Sequence, residues 1–186
     1  SAVSSFVYVE TAGLTFASKL ASDALGVTRT VKHPSAEGLD DKVLPRTGPE
    51  IAQAEVGGRI TGFSREQRVD MAEGVLKAMS LRSGFARLVM LAGHGSTTVN
   101  NPHASGLDWG ACGGNSGEAN ARVAAAILND PEVRAGLAER GIQITEETWF
   151  LGCLHDTTTD EITIFDREQI PESHSEALQQ LEAWLA

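Results

Sequence analysis

Only two cysteines, Cys112 and Cys153, occur in the 186 residues, too few for the disulfide framework that staples small secreted domains. No charged-then-apolar leader opens the chain, so reduced thiols and a cytoplasmic compartment are expected. No apolar run approaches the ~18 residues of a membrane-spanning helix; the longest, such as Leu88 to Ala92, are strand-sized. Basic residues are scarce. Lys and Arg number 15 against 25 Asp and Glu, a formal net charge of −10, and a net-negative surface does not attract the phosphates of nucleic acid or anionic lipid. No nucleic-acid partner is expected, and membrane association has to come through another protein.

What is present is an ordinary globular composition, 41% hydrophobic and 22% charged, long enough for a single domain with a buried core. Ser5 to Glu10 (SFVYVE) has the aromatic and β-branched content of a strand, and Gly13 to Leu25 places apolar residues at helical spacing. There is almost no lead before the chain is already building core, which predicts a fragment of a longer polypeptide. From Gly26 to Gly62 the pattern dissolves into charges, glycines and prolines, so residues 27–62 read as a long loop or insertion.

Ser64 and Gln67 form a capping-box pair, and Val69, Met71, Val75, Leu76 and Met79 make an apolar stripe, predicting a helix from Arg65 to about Leu81 with that stripe in the core. Ala86 to Ala92 (ARLVMLA) is a short continuous apolar run, as expected of a strand buried on both faces of a parallel sheet. Asn115 with Glu118 predicts another capped helix whose apolar face is Ala121, Val123, Ala124, Ile127 and Leu128. Asp130-Pro131 interrupts it, Val133 to Arg140 resumes, and Gly141 stops it. Thr148 to Leu154 and Glu161 to Phe165 read as strands joined by a threonine-rich turn, and Glu172 to Leu185 as a last helix. This order predicts an α/β layered fold, a mostly parallel sheet flanked by helices with a right-handed crossover.

Ligands of such sheets gather beyond the carboxyl ends of the strands, which directs attention to GHGSTTVNNPHASGLDWGACGGNSGEAN after Ala92. Glycines on both sides of His94 permit the tight backbone that presents an imidazole at a strand end. His94 is a candidate ligand for zinc, Cys112 is the nearest thiol, and Asp108 is a candidate acceptor for a ligand imidazole. Ser96, Asn100, Asn101 and His103 cluster in the same loop, although the Asn-Pro-His context reads His103 as a turn residue. Gly110 to Gly117 offers backbone N–H groups ahead of a helix, but its spacing is neither a dinucleotide fingerprint nor a P-loop. His155 and Asp156 follow the Trp149 strand; should that strand run parallel to and beside the His94 strand, both ends meet at one crevice, while a polar hairpin turn accounts for the same residues. Cys153 reads as a small core residue, and His174 as an exposed residue of a helix start with no role. A serine hydrolase using Ser96, with His94 or His155 as base, is the alternative chemistry, but Gly-His-Gly-Ser lacks the serine-centred nucleophile elbow.

Three stretches, GHGSTTVNNPHASGLD, GACGGNSGEANARVAAAILNDPEVR and TWFLGCLHDTTTDE, resemble the C-terminal part of the catalytic core of DabA proteins. These are zinc-binding subunits of a bacterial inorganic-carbon uptake complex, with a metal core resembling a β-type carbonic anhydrase. The resemblance runs from about Ser5 to the final helix. It implies hydration of CO2 to bicarbonate at a zinc ion, a proton-conducting antiporter-like membrane subunit as partner, and a peripheral place on the inner face of the cell membrane. It implies His94 as one of four ligands. Two others, from a Cys-x-Asp-x-Arg strand motif, have no match in this sequence. The fourth is the first cysteine of Leu-Asp-Cys-Gly-Ala-Cys-Gly-Gly; here the stretch reads Leu107-Asp108-Trp109-Gly110-Ala111-Cys112-Gly113-Gly114. Trp109 stands in the place of that cysteine, and an indole offers a donor N–H and no thiolate. Either a ligand is lost or Cys112 substitutes for it; loss is the expectation, with zinc absent or weakly held in this chain. A degenerate structural or partner-binding domain, its pocket filled by Trp109, is the non-catalytic alternative. An exposed sheet edge would favour self-association into a homo-oligomer.

Overall fold

The computed structural model describes residues 17–25, 38, 40, 43, 47–97 and 115–185. The chain divides into two compact units, residues 1–39 and 40–186. In the first, α1 (Ala17–Ala24) lies within the expected helix; the strand expected at Ser5 to Glu10 lies outside the described residues.

The second unit is built on a three-stranded sheet of β3 (Leu88–Gly95), β4 (Trp149–Asp156) and β5 (Ile162–Ile164), in the order β3-β4-β5. β3 and β4 are parallel, with Leu88 beside Trp149 and His94 beside His155. Such a pair needs a long crossover, here α3 (Glu118–Asn129) and α4 (Pro131–Glu139). β5 returns antiparallel to β4, because the short Thr157 to Thr159 turn can only reverse the chain. The expected α/β class holds.

Side chains alternate across a strand, so each face of this sheet has its own core. Val89, Leu91 and Phe150 face a cluster built on Val69, Leu76, Ile127, Leu128, Val133 and Leu137 from α2 (Arg65–Ala78), α3 and α4. Leu151, Cys153 and Ile164 face the other way, against Ile170 and the Leu178 and Leu181 side chains of α5 (Ser175–Leu185). Two glycines let α3 press closely on the first face. A Cβ at Gly93 would lie 2.3 Å from the Gly117 carbonyl oxygen, and one at Gly152 would lie 2.9 Å from the Cα of Arg122.

Several expectations need correction. The end of the 27–62 segment is a hairpin, β1 (Ala54–Val56) and β2 (Arg59–Thr61), closed by Gly57 and Gly58 with φ of 59° and 76°. Its strands are exposed throughout, so no inward and outward alternation announces them. The Ser64–Gln67 capping box is present, but α2 ends at Ala78, and Met71 and Met79 are exposed while Val69, Ala72 and Leu76 are buried. α3 is preceded by Gly117 with no side-chain cap, in place of an Asn115–Glu118 box; Glu118 instead pairs with Arg122 at 2.9 Å. β3 is only partly buried, Ala92 being exposed, and extends through His94 to Gly95.

Candidate functional site

The carboxyl ends of β3 and β4 meet as the parallel arrangement requires. His94 and His155 are register partners; neighbouring strands lie about 4.8 Å apart, and side chains so paired project from the same face. That face continues from Met90 and Ala92 on β3, beyond the core that α5 covers. Asp156, next along β4, projects to the opposite face with Gly93 and Leu154. The strand of His155 does run parallel to and beside that of His94, so the two strand ends lie side by side.

Each has a defined local setting. The Gly117 N–H donates to the His94 carbonyl at 2.8 Å, joining the start of α3 to the strand end. His155 donates from Nε2 to Asp160 Oδ1 at 2.7 Å, so the hairpin turn orients the imidazole. Asp160 sits in the left-handed region at φ 63°, one of the few residue types that accept that conformation. The polar hairpin and the paired strand ends are therefore one structure.

Asp156 Oδ1 accepts from the N–H groups of Thr158 at 2.8 Å and Thr159 at 3.3 Å. Partial burial pushes its carboxyl up, but donors from Thr158, Thr97 and Thr159 outweigh this and hold it below the ordinary value. Thr157 donates twice to the Gly95 carbonyl, from its N–H at 2.8 Å and its hydroxyl at 2.9 Å. Ser96 follows directly on Gly95 and is half-buried.

Cys153 is the buried core residue expected, 0% exposed, its thiol pushed up to about 11 by desolvation; a thiol so held is no nucleophile. His174, expected to be exposed, is 2% exposed. Its Nε2 donates to the Glu147 carbonyl at 2.8 Å and its Nδ1 accepts from Ser173 at 3.1 Å, while Trp149 lies against its ring. Asn100, Asn101, His103, Asp108, Trp109 and Cys112 lie outside the described residues, as does most of the glycine-rich Gly110 to Gly117 stretch.

One residue was not singled out in the sequence. Arg122, on the first turns of α3, binds Asp166 through Nε at 3.0 Å and Nη2 at 2.7 Å, Glu118 through Nη1 at 2.9 Å, and the Thr47 carbonyl. It stacks on Phe165 at 5.0 Å from the ring centroid. Hydrogen bonding to Asp166 raises its affinity for its proton despite burial. The visible signal was the i,i+4 pair Glu118–Arg122.

Imidazole suits zinc, and His94 fits a ligand's place by its chemistry and its position at a strand end. Among the described residues no three His, Cys, Asp or Glu side chains gather as a metal-binding group, and no helix is long and apolar enough to cross a membrane.

A layered α/β unit whose parallel strands present imidazoles at their carboxyl ends, beside a helix start, has the layout of proteins that bind ligands at strand ends. The family model described as "Probable inorganic carbon transporter subunit DabA" matches residues 1–186, and the chain belongs to that family. It is 68% identical over 186 residues to "Probable inorganic carbon transporter subunit DabA 1" of Bradyrhizobium sp. (strain ORS 278), covering 100% of this chain and 22% of that protein. Proteins named "Probable inorganic carbon transporter subunit DabA" in Roseiflexus castenholzii and Chloroflexus aurantiacus are 60% and 56% identical over 184 residues, 99% of this chain and 22% of each. The chain thus spans about a fifth of the length of these relatives, 22%. No solved structure matches it.

Proposed function

We propose that this chain is the strand-end half of a zinc-dependent site that hydrates CO2 to bicarbonate within an inorganic-carbon transporter subunit. The observation that carries this reading is the parallel register of His94 beside His155 on one face of the sheet. His94 is a ligand in this reading, and His155, oriented by Asp160, is a neighbour able to hydrogen-bond a substrate or a water. When bound, zinc supplies the chemistry of hydration by lowering the pKa of water towards ~7. Completing a four-donor set requires donors beyond His94, with Asp108 as a candidate acceptor that orients the ligand imidazole. The partner is an antiporter-like, proton-conducting membrane subunit, and the assembly sits peripherally on the inner face of the membrane.

The isolated chain is expected to hold no stoichiometric zinc and to hydrate no CO2, whereas the full-length protein with its partner supports bicarbonate uptake that His94→Ala abolishes. Metal analysis of the isolated chain decides the first point. About one tightly held zinc per monomer would overturn it and point to His94 with Cys112. Uptake that survives His94→Ala would overturn the second.

Trp109 favours a second reading, a domain that keeps the fold and binds partners without catalysis. Trp109→Cys in the full-length protein separates the two. Zinc held by the full-length wild type, or held more tightly after Trp109→Cys, supports the metal site, and zinc in neither protein supports the non-catalytic domain.

A further inference from the structure

His94 lies between two sets of contacts made by neighbouring backbone. On one side is Gly117, whose N–H binds the His94 carbonyl and whose carbonyl leaves no room for a side chain at Gly93. On the other is the turn after β4. Thr157 binds the Gly95 carbonyl through both its N–H and its hydroxyl, and the Asp156 carboxylate accepts from Thr97. The hairpin closes without these bonds: the Asp156 N–H reaches the Glu161 carbonyl and the Asp160 N–H reaches the Asp156 carbonyl, each at 2.8 Å. The bonds to Gly95 and Thr97 serve the end of β3. They fasten the residues directly after His94 to a strand far away in sequence.

We propose that Asp156 and Thr157 are positioning residues that act through Thr97 and Gly95 to fix the backbone, and with it the imidazole, of His94. Neither side chain needs to touch a substrate. A ligand on a glycine-flanked strand end has little local restraint of its own, since glycine leaves the backbone free, and a site loose by even ~1 Å loses much of its function. Two hydrogen bonds onto one carbonyl and a carboxylate across the chain supply the restraint. The inference rests on reading His94 as the site's ligand.

The test uses the full-length protein and reads His94 directly, by its rate of modification with diethyl pyrocarbonate, resolved by peptide mass spectrometry. His174, buried in the second core, serves as an internal reporter of the fold. Asp156→Ala and Thr157→Val are each expected to raise the His94 rate about threefold or more, through local opening, while His174 stays protected. Thr157→Ser, which keeps the hydroxyl, is expected to restore most of the wild-type rate. An unchanged His94 rate in Asp156→Ala and Thr157→Val overturns the proposal. So does a rise at His174 that matches the rise at His94 in both, since the two residues would then be general supports of the fold. Should Asp156→Ala fail to fold, the Thr157 pair decides alone. Zinc content of the wild-type protein is measured alongside: its absence would sink the catalytic reading and leave the clamp standing, whereas an unchanged His94 rate would do the reverse.

Discussion

Arg122 grips Asp166 with two hydrogen bonds, 3.0 Å from Nε to Oδ2 and 2.7 Å from Nη2 to Oδ1, and so ties the first turns of α3 to the chain just after β5. Both side chains are largely buried, 13% and 18% exposed. Removing one partner leaves the other charge short of solvent and of hydrogen bonds. Asp166→Ala is expected to lower stability by about 2–3 kcal/mol, read from urea unfolding. Asp166 also sits at φ 52°, so Asp166→Asn, which tolerates that conformation and keeps one acceptor, should lose less. An Asp166→Ala variant as stable as wild type would show that the bidentate pair contributes nothing.

Gly93 and Gly152 differ in what a methyl group would meet. At Gly93 it would run into the Gly117 peptide, with carbonyl carbon at 2.4 Å and oxygen at 2.3 Å, and backbone cannot move aside cheaply. At Gly152 the nearest atom is 2.9 Å away. Gly93→Ala is expected to cost about 2–3 kcal/mol and Gly152→Ala about 1–2 kcal/mol, the usual range for overpacking. Thermal melts of the two variants give the order directly, and a reversed order would contradict the close packing of α3 at β3.

Asp156 makes stability depend on acid. Its folded pKa lies below the ordinary 3.8 because donors from Thr158, Thr97 and Thr159 outweigh the effect of burial. A carboxyl lowered on folding contributes stability that is complete above its unfolded pKa and disappears as pH falls through the folded value. The gap between wild type and Asp156→Asn should therefore be full at about pH 7, begin to shrink as pH falls towards the ordinary carboxyl value, and go on shrinking as it falls through the lower folded value. A gap that stays constant with pH would remove Asp156 as its source.

The Cys153 thiol, with no exposed surface and a pKa of about 11, should resist iodoacetamide at pH 8 in the folded protein and react once urea unfolds the chain. Peptide mass spectrometry of the Cys153 peptide separates its reaction from that of Cys112. Rapid native labelling would show that the second core opens readily.

Much of this arrangement was legible because it follows from short-range physics. The capping box at Ser64, the apolar run into His94 and the strand at Trp149 each have a periodicity or a side-chain partner a few residues away. The hairpin at Ala54 to Thr61 lacks that, because Val56 and Ile60 are exposed at 63% and 74% and no face is buried. Its one signal was Gly57-Gly58, a pair suited to a tight turn with positive φ. Gly117 replaced Asn115 at the start of α3 because close approach to Gly93 outranked a side-chain cap there. His174 was misread for a related reason. A helix start reads as solvent-exposed, yet this one is held under Trp149 by contacts that sequence does not display. For the site, His94 and His155 were legible separately, and their pairing needed the parallel register.

That register also bears on the order in which the molecule is made. β3 and β4 adjoin only after both crossover helices have been added, and joining distant segments is slow because the entropy of closing the loop comes first. A ribosome that has released β3 and α3 has produced His94 without its neighbour. The imidazole pair is thus expected to assemble late, and pulse-labelled hydrogen exchange during refolding should show α3 amides protected before those of β3 and β4.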